Sequence, residues 1–550
     1  MAIATFSPPW KPWSDYVVLF VAYYSRGFRC PCRQASVDAH KRTKGERCPG
    51  MAIKCFEGPF VFRLNDNGTG PHLLIQVCTE RGWREYTGDN NIFKDRWNLW
   101  WKSGGMPMSH YRPLLPWQTH YFFECTYTCG GSPTGFNLPS EYTRLAEECS
   151  RFEKDVRIWI CKPVGQSQGK GIFLFRKLSD LSYDHTAVVQ RYIENPLLIG
   201  GYKFDLRLYV CVPSYRPLTI YLYKEGLARF ATEKFSLDHL EDSFRHLTNY
   251  SLNKWGPGYS EKKERIGAGC KWTFRQLRRY FEQSGYFDWY LWQRIACIVS
   301  LTILSQAAGI PKSSNCFEFF GFDILIDENL KPWLLEVNVS PALSNDCEVD
   351  SEVKKPLLHD LFDLLGLPVC NTGLSLFTIW SVDHVEHEVD EPPRFATTRP
   401  SKRRSKGNRD GESLIKPSLC TNSWSRYNPL LVDKYLPRGL RGNTAEEHGL
   451  ASVWDNGRDW RMPSVREGGW TRIYPLIRRK PTPTLGYAQA LSEQPRIVES
   501  EIKNTVLSIR KYLRAAKVVQ RSSGQLSDEQ CNALLRTTLD LNTEIWLPEK

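Results

Sequence analysis

Seven short apolar runs between residues 156 and 345 constrain the fold most strongly. Each run has the length of a strand and is rich in β-branched or aromatic residues, a composition that strands favour. The runs are Arg157–Cys161, Ile172–Phe175, Ala187–Tyr192, Leu206–Val212, Leu218–Tyr223, Phe322–Ile326 and Trp333–Val337. A helix of about five turns is predicted over Trp289–Ala308, because Gly309 ends it and Pro311 follows. Strands mixed with a long helix predict an α+β layer architecture.

The 550 residues exceed one ordinary core, so two or three domains are expected. The predicted segments are an irregular N-terminal segment over 1–60, an N-terminal lobe over 61–155, the strand-rich region over 156–370, a flexible basic linker over 371–490 and a helical basic tail over 491–550. Within the N-terminal lobe, Leu73–Val77 is predicted as a strand. Trp97, Trp100 and Trp101 are predicted as core packing.

The basic tail is predicted to contain a helix near Ile497–Arg521. One apolar stripe at helical spacing supports it, formed by Ile502, Val506, Ile509 and Leu513. Basic residues lie mostly off that stripe, namely Lys503, Arg510, Arg514, Lys517 and Arg521. A solvated basic face and a polyanion-binding face explain this pattern equally well.

Charge and cysteine usage narrow the class of protein. Lysine and arginine total 73 against 60 acidic residues, and the net charge of +13 favours a polyanionic partner. Nucleic acid, an anionic membrane and an acidic protein tail all qualify. The 17 cysteines lie mostly in apolar segments and indicate reduced thiols, and the cluster Cys30, Cys32, Cys48 and Cys55 lacks a usual zinc spacing. The apolar run Ile295–Leu304 is too short to span a membrane.

A glycine-rich turn joins two of the predicted strands. Gly165, Gly169 and Gly171 fall within seven residues, and glycines let backbone N–H groups approach an anion closely. A strand follows the turn and the G-x-x-x-x-G-K-[ST] pattern is absent, so it is neither a Rossmann turn nor a Walker A loop. A plain hairpin would look similar, but Lys162 on the preceding strand puts an ammonium where nucleotide phosphates could pair with it.

Three oxygen-bearing side chains are predicted to meet on a second hairpin. Glu336 and Asn338 are two residues apart and so point to one face of their strand, with Asp323 roughly opposite. The flanking leucines and isoleucines indicate a buried hairpin, where carboxylates without a cation are costly. Mg²⁺ prefers oxygen ligands and shares phosphate oxygens. The pattern therefore predicts a magnesium site rather than solvated acids on an edge hairpin.

A third element, Gln190–Ile193 followed by Lys203, Asp205 and Arg207, suits a nucleotide between a hinge strand and a charged cluster. Taken in order, the motifs resemble the tubulin tyrosine ligase-like family. The segments that carry the resemblance are Lys162-Pro163, Gln168–Gly171, Gln190–Ile193, Lys203–Arg207, His246–Ser251, Phe322-Asp323 and Glu336–Pro341. The resemblance extends over residues 73–367 and is dense from 156 to 367.

The resemblance implies the ATP-grasp fold for the region that includes 156–370, with ATP and Mg²⁺ as cofactors. The implied ATP contacts are Lys162, Gln168, Gly169, Gln190, Arg191, Tyr192, Ile193, Lys203, Phe204, Asp205, Thr248 and Asn249. The implied catalytic residues are Lys162, Lys203 and Arg229, and the implied metal ligands are Asp323, Glu336 and Asn338. The implied glutamate pocket consists of Arg229, Tyr250, Ser251, Lys271 and Lys354, and Gln168 would touch the protein substrate.

The implied activity is that of an ATP-dependent tubulin polyglutamylase. It forms an isopeptide bond between free L-glutamate and a tail glutamate side chain through an acyl phosphate. Arg229 favours glutamate over glycine or tyrosine, because a fixed guanidinium pairs with a carboxylate bidentately. The implied partners are tubulin C-terminal tails and microtubules, without nucleic acid or membrane. A monomer in the cytoplasm is expected, on the microtubule cytoskeleton and in the cilium or flagellum.

Other interpretations remain open at this point. A tubulin-binding pseudo-ligase, a glycylase, a tyrosine ligase and a nucleic-acid-binding protein are the alternatives. Two departures from the family pattern bear on them: Gln168 stands where many glutamylases have arginine, and Pro116–Leu138 looks shortened or replaced. The motifs from Lys162 to Asn338 are complete, so we expect nucleotide binding with weak ligase activity.

Overall fold

The computed structural model describes the strand-rich region and the C-terminal part of the chain. The described residues are 60–65, 70–86, 97–102, 133–151, 157–164, 169–183, 186–256, 258–259, 266, 269–307, 310, 316–369, 458–476, 497, 499–521 and 526–550, with the backbone of 119–121 and 522. The predicted irregular segment over 1–60 lies almost wholly outside them, as do its four clustered cysteines. Gln168 and most of the predicted linker over 371–490 also lie outside the described residues.

The N-terminal lobe is a parallel extension of the main sheet. It consists of β1 (Val61–Leu64), α1 (His72–Glu80), β2 (Arg84–Glu85), β3 (Leu99–Trp101) and β4 (Thr119–Tyr121). β1 pairs in parallel with β2 and β3, and β3 pairs in parallel with β4. The predicted core role of Trp97, Trp100 and Trp101 is confirmed, because all three are buried.

The prediction of a strand over Leu73–Val77 is wrong, because this segment lies in α1. Leu73, Leu74, Val77 and Cys78 are buried, whereas Gln76 is exposed. Buried positions spaced one, four and five residues apart form one face of a helix. A run of five mostly apolar residues fits a strand or a helix, and its length alone does not separate them.

A four-stranded antiparallel sheet carries the glycine-rich turn. Its elements in chain order are β5 (Gly135–Leu138), α2 (Tyr142–Arg151), β6 (Trp159–Pro163), β7 (Phe173–Phe175) and β8 (Ala187–Arg191). The spatial order of the strands is β5-β8-β6-β7. Phe136, Leu145 and Trp159 form part of its core. The predicted arrangement of strand, glycine turn and strand is confirmed by the antiparallel pairing of β6 with β7.

The central part of the main sheet surrounds one long strand. Its strands are β9 (Leu198–Ile199), β10 (Tyr202–Tyr215), β11 (Leu218–Tyr223), β12 (Leu227–Lys234), β13 (Lys271–Thr273), β14 (Cys316–Ile326) and β15 (Pro332–Asn338). β10 pairs antiparallel with β9, β11, β12 and β14 along different parts of its 14 residues. β13 pairs with β12, and β15 with β14. β4 pairs in parallel with β14 and so joins the N-terminal lobe to this sheet.

Five helices accompany this sheet. They are α3 (Ser243–His246), α4 (Tyr250–Asn253), α5 (Phe274–Gln283), α6 (Trp289–Ala307) and α7 (Glu348–Leu364). α6 confirms the predicted helix. Trp292 and Ile295 of α6 pack in the core of the sheet, while Trp289 and Cys297 pack against C-terminal residues. A helix covered on two sides needs apolar residues around most of its surface, which explains its continuous hydrophobicity. Mixed strands and helices confirm the predicted α+β class.

The C-terminal region is built into the core. It contains β16 (Arg466–Glu467), β17 (Trp470–Tyr474), α8 (Glu499–Ser522) and α9 (Asp528–Thr538). β17 pairs antiparallel with β11, so the linker prediction over 371–490 does not hold for this part of it. The helix predicted near Ile497–Arg521 is confirmed by α8, whose residues Ile502 and Val506 are buried in the main core. No helix within the described ranges is long and apolar enough to cross a bilayer.

Candidate active site

The candidate site begins on one face of β10. Side chains alternate along a strand, so Lys203, Asp205 and Arg207 point to the same face. The antiparallel register brings Arg229 of β12 opposite Asp205. The same strand meets β14 on its other side, where Asp323 lies opposite Arg207. Sheet register alone therefore gathers residues that are more than 100 positions apart in the chain.

These side chains form an arginine cluster, defined here as Asp205, Arg207, Arg229 and Asp323. Arg229 donates to Asp205 from Nε at 2.7 Å and from Nη2 at 2.6 Å, and its Nη2 lies 2.9 Å from Asp323 Oδ2. Arg207 donates to Asp323 from Nε at 2.5 Å and from Nη2 at 3.0 Å. Thr248 Oγ1 donates to Asp205 Oδ2 at 2.6 Å. Two guanidinium groups thus balance two buried carboxylates.

Opposite charges in the arginine cluster shift the pKa values of their partners in the direction that keeps them ionised. Burial would raise the pKa of Asp323, but Arg207 and Arg229 outweigh burial and hold that pKa well below its usual value. Burial would lower the pKa of Arg229, but Asp205 and Asp323 outweigh it and raise that pKa. Asp323 and Arg229 therefore stay ionised throughout the neutral pH range.

The predicted metal ligands meet on the β14–β15 hairpin. Glu336 lies opposite Asp323, as the sequence predicts, and Asn338 lies opposite Gly321. Asn338 Nδ2 is 3.1 Å from Glu336 Oε1 and 3.4 Å from Asp323 Oδ2. Glu336 has solvent access, but the protein around it and the charge of Asp323 raise its pKa. Two carboxylates and one amide fit Mg²⁺, and the raised pKa marks negative charge that a cation would relieve.

Lys162 connects the small sheet with this hairpin. Its Nζ donates to Oε1 of Gln190 on β8 at 3.0 Å. The same Nζ lies 3.5 Å from the carbonyl oxygen of Leu335, the residue before Glu336. The lysine predicted to contact phosphate is therefore a neighbour of the predicted metal ligands, although the two come from different sheets.

Lys203 lies in a buried hydrogen-bond network with Tyr192 and His246. Its Nζ donates to Tyr192 Oη at 2.9 Å and to the carbonyl oxygen of His246 at 2.7 Å. His246 Nε2 donates to the carbonyl oxygen of His239 at 2.9 Å, which leaves Nδ1 to accept from Tyr192 Oη at 3.0 Å. Burial, with repulsion from Lys162, lowers the pKa of Lys203 to about 7 despite the attraction of Asp205.

The end of the glycine-rich turn lies against the Thr248–Asn249 segment. Gly169 has a φ of +80°, in the left-handed region that favours glycine, and an added Cβ would lie 3.2 Å from Asn249 Oδ1. Asn249 is the residue before α4. Two motifs predicted to bind ATP are thus in contact. The neighbouring Gln168 lies outside the described residues.

Some predicted ATP contacts do not present their side chains to this face. Phe204 points to the opposite face of β10 and is buried in the core beside Phe230. Arg191 is exposed at the end of β8, and Ile193 is half-buried just beyond it. Phe204 can therefore serve a nucleotide through its backbone alone.

A second charged group, the lysine cluster, consists of Lys271, Asp350 and Lys354. Asp350 is fully buried, with Lys271 Nζ 2.6 Å from Oδ2 and Lys354 Nζ 2.8 Å from Oδ1. Lys271 Nζ lies 3.8 Å from the ring centre of Tyr250, the first residue of α4, and Ser251 follows in the same turn. Lys271 of β13 is also the register partner of Arg229, so the two clusters lie on adjacent strands.

Burial acts on the pKa values of Asp350 and Lys354 in the lysine cluster. It would raise the pKa of Asp350, but Lys354 and Lys271 outweigh it and lower that pKa. Burial lowers the pKa of Lys354, with Asp350 opposing. The carboxylate therefore remains ionised, and it opposes the loss of charge that burial favours at Lys354.

Sequence reasoning missed three residues of this site: Arg207 as a charge partner, His246 and Asp350. Arg207 belongs to the Lys203–Arg207 segment that carries the family resemblance. Its alternation with Asp205 is the sequence signal that could have identified it. Asp350 stands four residues before Lys354, a spacing that usually marks an exposed helical pair. Only the packing of β13 against the start of α7 shows that this pair is buried with a second lysine.

The region that contains the candidate site is similar to known proteins. The profile of the Tubulin-tyrosine ligase family matches residues 117–372, which include every site residue discussed above. The chain is 42% identical over 369 residues to a Mus musculus protein named "Probable tubulin polyglutamylase TTLL2", covering 62% of this chain and 67% of that protein. It is 44% identical over 335 residues to the Homo sapiens protein of the same name, covering 56% of each.

A Homo sapiens protein named "Tubulin polyglutamylase TTLL5" is 43% identical over 250 residues, which cover 43% of this chain and 19% of that protein. The chain thus aligns with between about a fifth and two thirds of the length of these relatives. The family match begins at residue 117 and so takes in nearly all of Pro116–Leu138, the segment that departs from the family pattern by inspection. Its described part contributes β4 and β5 to the two sheets.

Proposed function

This chain belongs to the tubulin-tyrosine ligase family, and from that membership we propose that it is an ATP-dependent tubulin polyglutamylase. The ligase would join free L-glutamate to glutamate side chains in tubulin C-terminal tails. The relatives named as tubulin polyglutamylases support glutamate as the amino acid and tubulin as the acceptor. The chain would act on microtubules, in the cytoplasm and in the cilium or flagellum.

One observation carries the proposal: the β14–β15 hairpin with the predicted metal ligands (the metal-type hairpin), the arginine cluster and the lysine cluster lie side by side on neighbouring strands. Asp323 and Glu336 are register partners, and Arg229 and Lys271 are register partners two strands away. A reaction between a phosphorylated carboxylate and an amino acid needs these two environments next to each other. One environment would handle phosphate and metal, and the other would hold the carboxylates of the amino acid.

The nucleotide site would span both sheets, as expected for an ATP-grasp fold. Lys162 and Lys203 would meet phosphate oxygens, because Lys162 Nζ lies beside the metal-type hairpin and Lys203 comes from β10, which pairs with that hairpin. Gln190 through Ile193, with Phe204 and Asp205, would border the base and ribose. Thr248, Asn249 and Gly169 would close over the phosphates, since the glycine turn already contacts Asn249.

Asp323, Glu336 and Asn338 would hold Mg²⁺, which supplies positive charge to phosphate oxygens when bound. The side-chain carboxylate of a tail glutamate would attack the γ-phosphorus of ATP, forming an acyl phosphate and releasing ADP. The amine of free glutamate would then attack the acyl carbon, form the isopeptide bond and release phosphate. Lys162 and Lys203 would stabilise the negative charge that develops in the first step.

The amino-acid pocket would lie between Arg229 and the lysine cluster. Arg229 Nη1 makes no hydrogen bond within the described part of the chain, so it can meet a carboxylate while Nε and Nη2 hold Asp205. Tyr250 and Ser251 would border the pocket from α4. Gln168 would touch the acceptor tail beside the glycine turn. A guanidinium and two ammonium groups suit glutamate, which carries two carboxylates.

The direct test offers radiolabelled glutamate, glycine and tyrosine in parallel with microtubules and MgATP. We expect glutamate to be incorporated, and its incorporation to require both ATP and intact tubulin tails. Glu336→Gln serves as the matched inactive control. Incorporation of glycine or tyrosine instead would replace the proposed amino acid, and ATP binding without any incorporation would favour a tubulin-binding pseudo-ligase.

The basic face of α8 supports an acidic protein partner. Its exposed basic residues are Lys503, Lys511, Arg514, Lys517 and Arg521. Replacing Lys511 and Arg514 by glutamate should weaken microtubule binding and flatten its salt dependence, because fewer charges attract the tails. Such charge reversal is preferable to deleting residues 458–550, which contribute β17 and buried core residues such as Trp546. Equal binding of tail-free microtubules would point away from the tails as partners.

A further inference from the structure

The lysine cluster contains more positive than negative charge. Lys271 and Lys354 bring two ammonium groups to the single carboxylate of Asp350, and all three side chains are almost inaccessible to solvent. We infer that Asp350 is a positioning residue, which fixes the two lysines as a receptor for one carboxylate of the incoming amino acid. This inference rests on the proposed function, because it assigns a part of the same amino-acid pocket.

Asp350 fixes the lysines by using both of its oxygens. One oxygen accepts from Lys271 and the other contacts Lys354, so each Nζ atom is held by a different oxygen of one carboxylate. Lys354 Nζ also donates to the carbonyl oxygen of Ser344 at 2.6 Å. The carboxylate itself is held by the backbone N–H of Asp346, 3.2 Å from Oδ2. The start of α7 therefore orients both cations.

Both ammonium groups keep capacity for a further acceptor. An ammonium has three donors. Lys354 donates one hydrogen bond to the Ser344 carbonyl and lies in ion-pair contact with Asp350, and Lys271 donates one to Asp350 while facing the ring of Tyr250. A ligand carboxylate can accept from both ammonium groups at once, with each of its oxygens meeting one of them.

The charge count supports an anion as the ligand. Two ammonium groups and one carboxylate leave one positive charge, and a buried unpaired charge is costly. The neighbouring arginine cluster has no such excess, because its two arginines face two aspartates. One carboxylate of glutamate would neutralise the lysine cluster completely. Without Asp350 the two ammonium groups would repel each other, and the receptor would lose its shape.

The test is Asp350→Asn in the full chain, which keeps the shape of the side chain and removes its charge. We expect the KM for glutamate to rise about tenfold or more, as for the loss of a charged hydrogen bond. The KM for ATP should stay unchanged, because the nucleotide motifs do not contact Asp350. Asp288→Asn is the matched control: Asp288 is also buried and pairs with Arg278 at 2.9 Å, but at the start of α6.

A second variant guards against simple misfolding. Asp350→Glu keeps a carboxylate beside both lysines, so its KM for glutamate should rise less than that of Asp350→Asn. The inference is overturned if Asp350→Asn leaves the KM for glutamate unchanged, or if it raises the KM values for glutamate and ATP equally, as a general loss of stability would.

Failure of the proposed function can be told apart from failure of this inference. If the wild-type chain uses glycine or tyrosine instead of glutamate, the same KM comparison with that amino acid still tests Asp350. If no amino acid is incorporated, the rise in Tm that glutamate produces with MgATP present is compared between wild type and Asp350→Asn. Equal rises, or none in either protein, would overturn the role of Asp350.

Discussion

The arginine cluster and the lysine cluster are built from the same kinds of groups but differ in their charge balance. In the arginine cluster, Arg207 contacts two carboxylate oxygens and Arg229 contacts three, and every positive charge has a negative partner. In the lysine cluster, two ammonium groups share Asp350. The two clusters lie on adjacent strands. A charge-balanced cluster and a cluster with one excess positive charge are therefore neighbours within one site.

The difference in charge balance indicates which type of ion each side of the site can bind. Asp323 is already oriented by two arginines, which makes it a rigid carboxylate, while Glu336 opposite it has solvent access and a raised pKa. A cation bound on that side of the site would therefore lower the raised pKa of Glu336. The lysine cluster has positive charge to share with an anion. A ligase that brings MgATP to a carboxylate-bearing amino acid needs both.

The largest effect should come from Glu336→Gln. The substitution keeps the size of the side chain and removes the charge that a metal would use, so turnover should fall by about a thousandfold or more. Glu336 is not part of either cluster and has no buried cation as partner within the described residues, so Tm should hardly change. Incorporation of labelled glutamate and thermal unfolding measure the two quantities. Near-normal turnover would refute the metal assignment.

Asp323→Asn provides the contrast that sharpens this comparison. It also removes a metal-type ligand, but it leaves Arg207 and Arg229 without a shared carboxylate. Breaking a buried pair by removing one partner costs about 3–5 kcal/mol, so this variant should lose stability as well as activity. Loss of activity with an unchanged Tm in both variants would mean that the arginine cluster contributes little to the fold.

An intermediate effect is expected for Arg229→Lys. Lysine preserves one positive charge beside Asp205 and Asp323 but cannot make the bidentate contact or extend a third nitrogen to a ligand. The KM for glutamate should rise by roughly 10- to 100-fold, the range for charged hydrogen bonds, with a much smaller change in the KM for ATP. Equal changes in both KM values would mean that Arg229 only balances its two aspartates. The amino acid would then depend on the lysine cluster alone.

Much of this site could be predicted from sequence because its motifs are local. Asp323, Glu336 and Asn338 lie on one hairpin, and the period of two along a strand is enough to bring them together. The same holds for Lys203, Asp205 and Arg207 on β10. The central strands can also be predicted from local sequence, because buried strands are continuous runs of β-branched and aromatic residues.

The remainder depended on contacts that local patterns do not contain. Asp350 and Lys271 are 79 residues apart, and nothing in either segment indicates the other. The position of β17 beside β11 brings together residues about 250 positions apart, so the local composition, rich in proline and glycine, predicts a linker where the structure has a strand. For Leu73–Val77, a short apolar run fitted two periods, and packing against α7 decided between them.

The smallest effect concerns Lys203, which differs from both clusters because no buried carboxylate among the described residues lies at hydrogen-bond distance from it. Its partners, Tyr192 Oη and the carbonyl oxygen of His246, are neutral, and burial lowers the pKa of Lys203 to about 7. Phosphate binds the ammonium form, so the affinity for ATP should fall as the pH rises through 7, by up to about tenfold between about pH 6 and pH 8. Lys203→Arg, which stays charged, should remove this dependence.

Linkage requires the opposite trend in the stability of the nucleotide-free protein. A lysine whose pKa is about 7 when folded and near 10.5 when unfolded binds more protons in the unfolded chain between those values, so its contribution to stability rises with pH across that window. In Lys203→Arg that rise should be absent. Thermal unfolding from about pH 7 to pH 9, with and without MgATP, measures both trends on one sample. If ATP affinity and stability change with pH in the same direction, or if the slope is unchanged in Lys203→Arg, the titrating group is not Lys203. Lys203 would then no longer differ from the arginine and lysine clusters in this way.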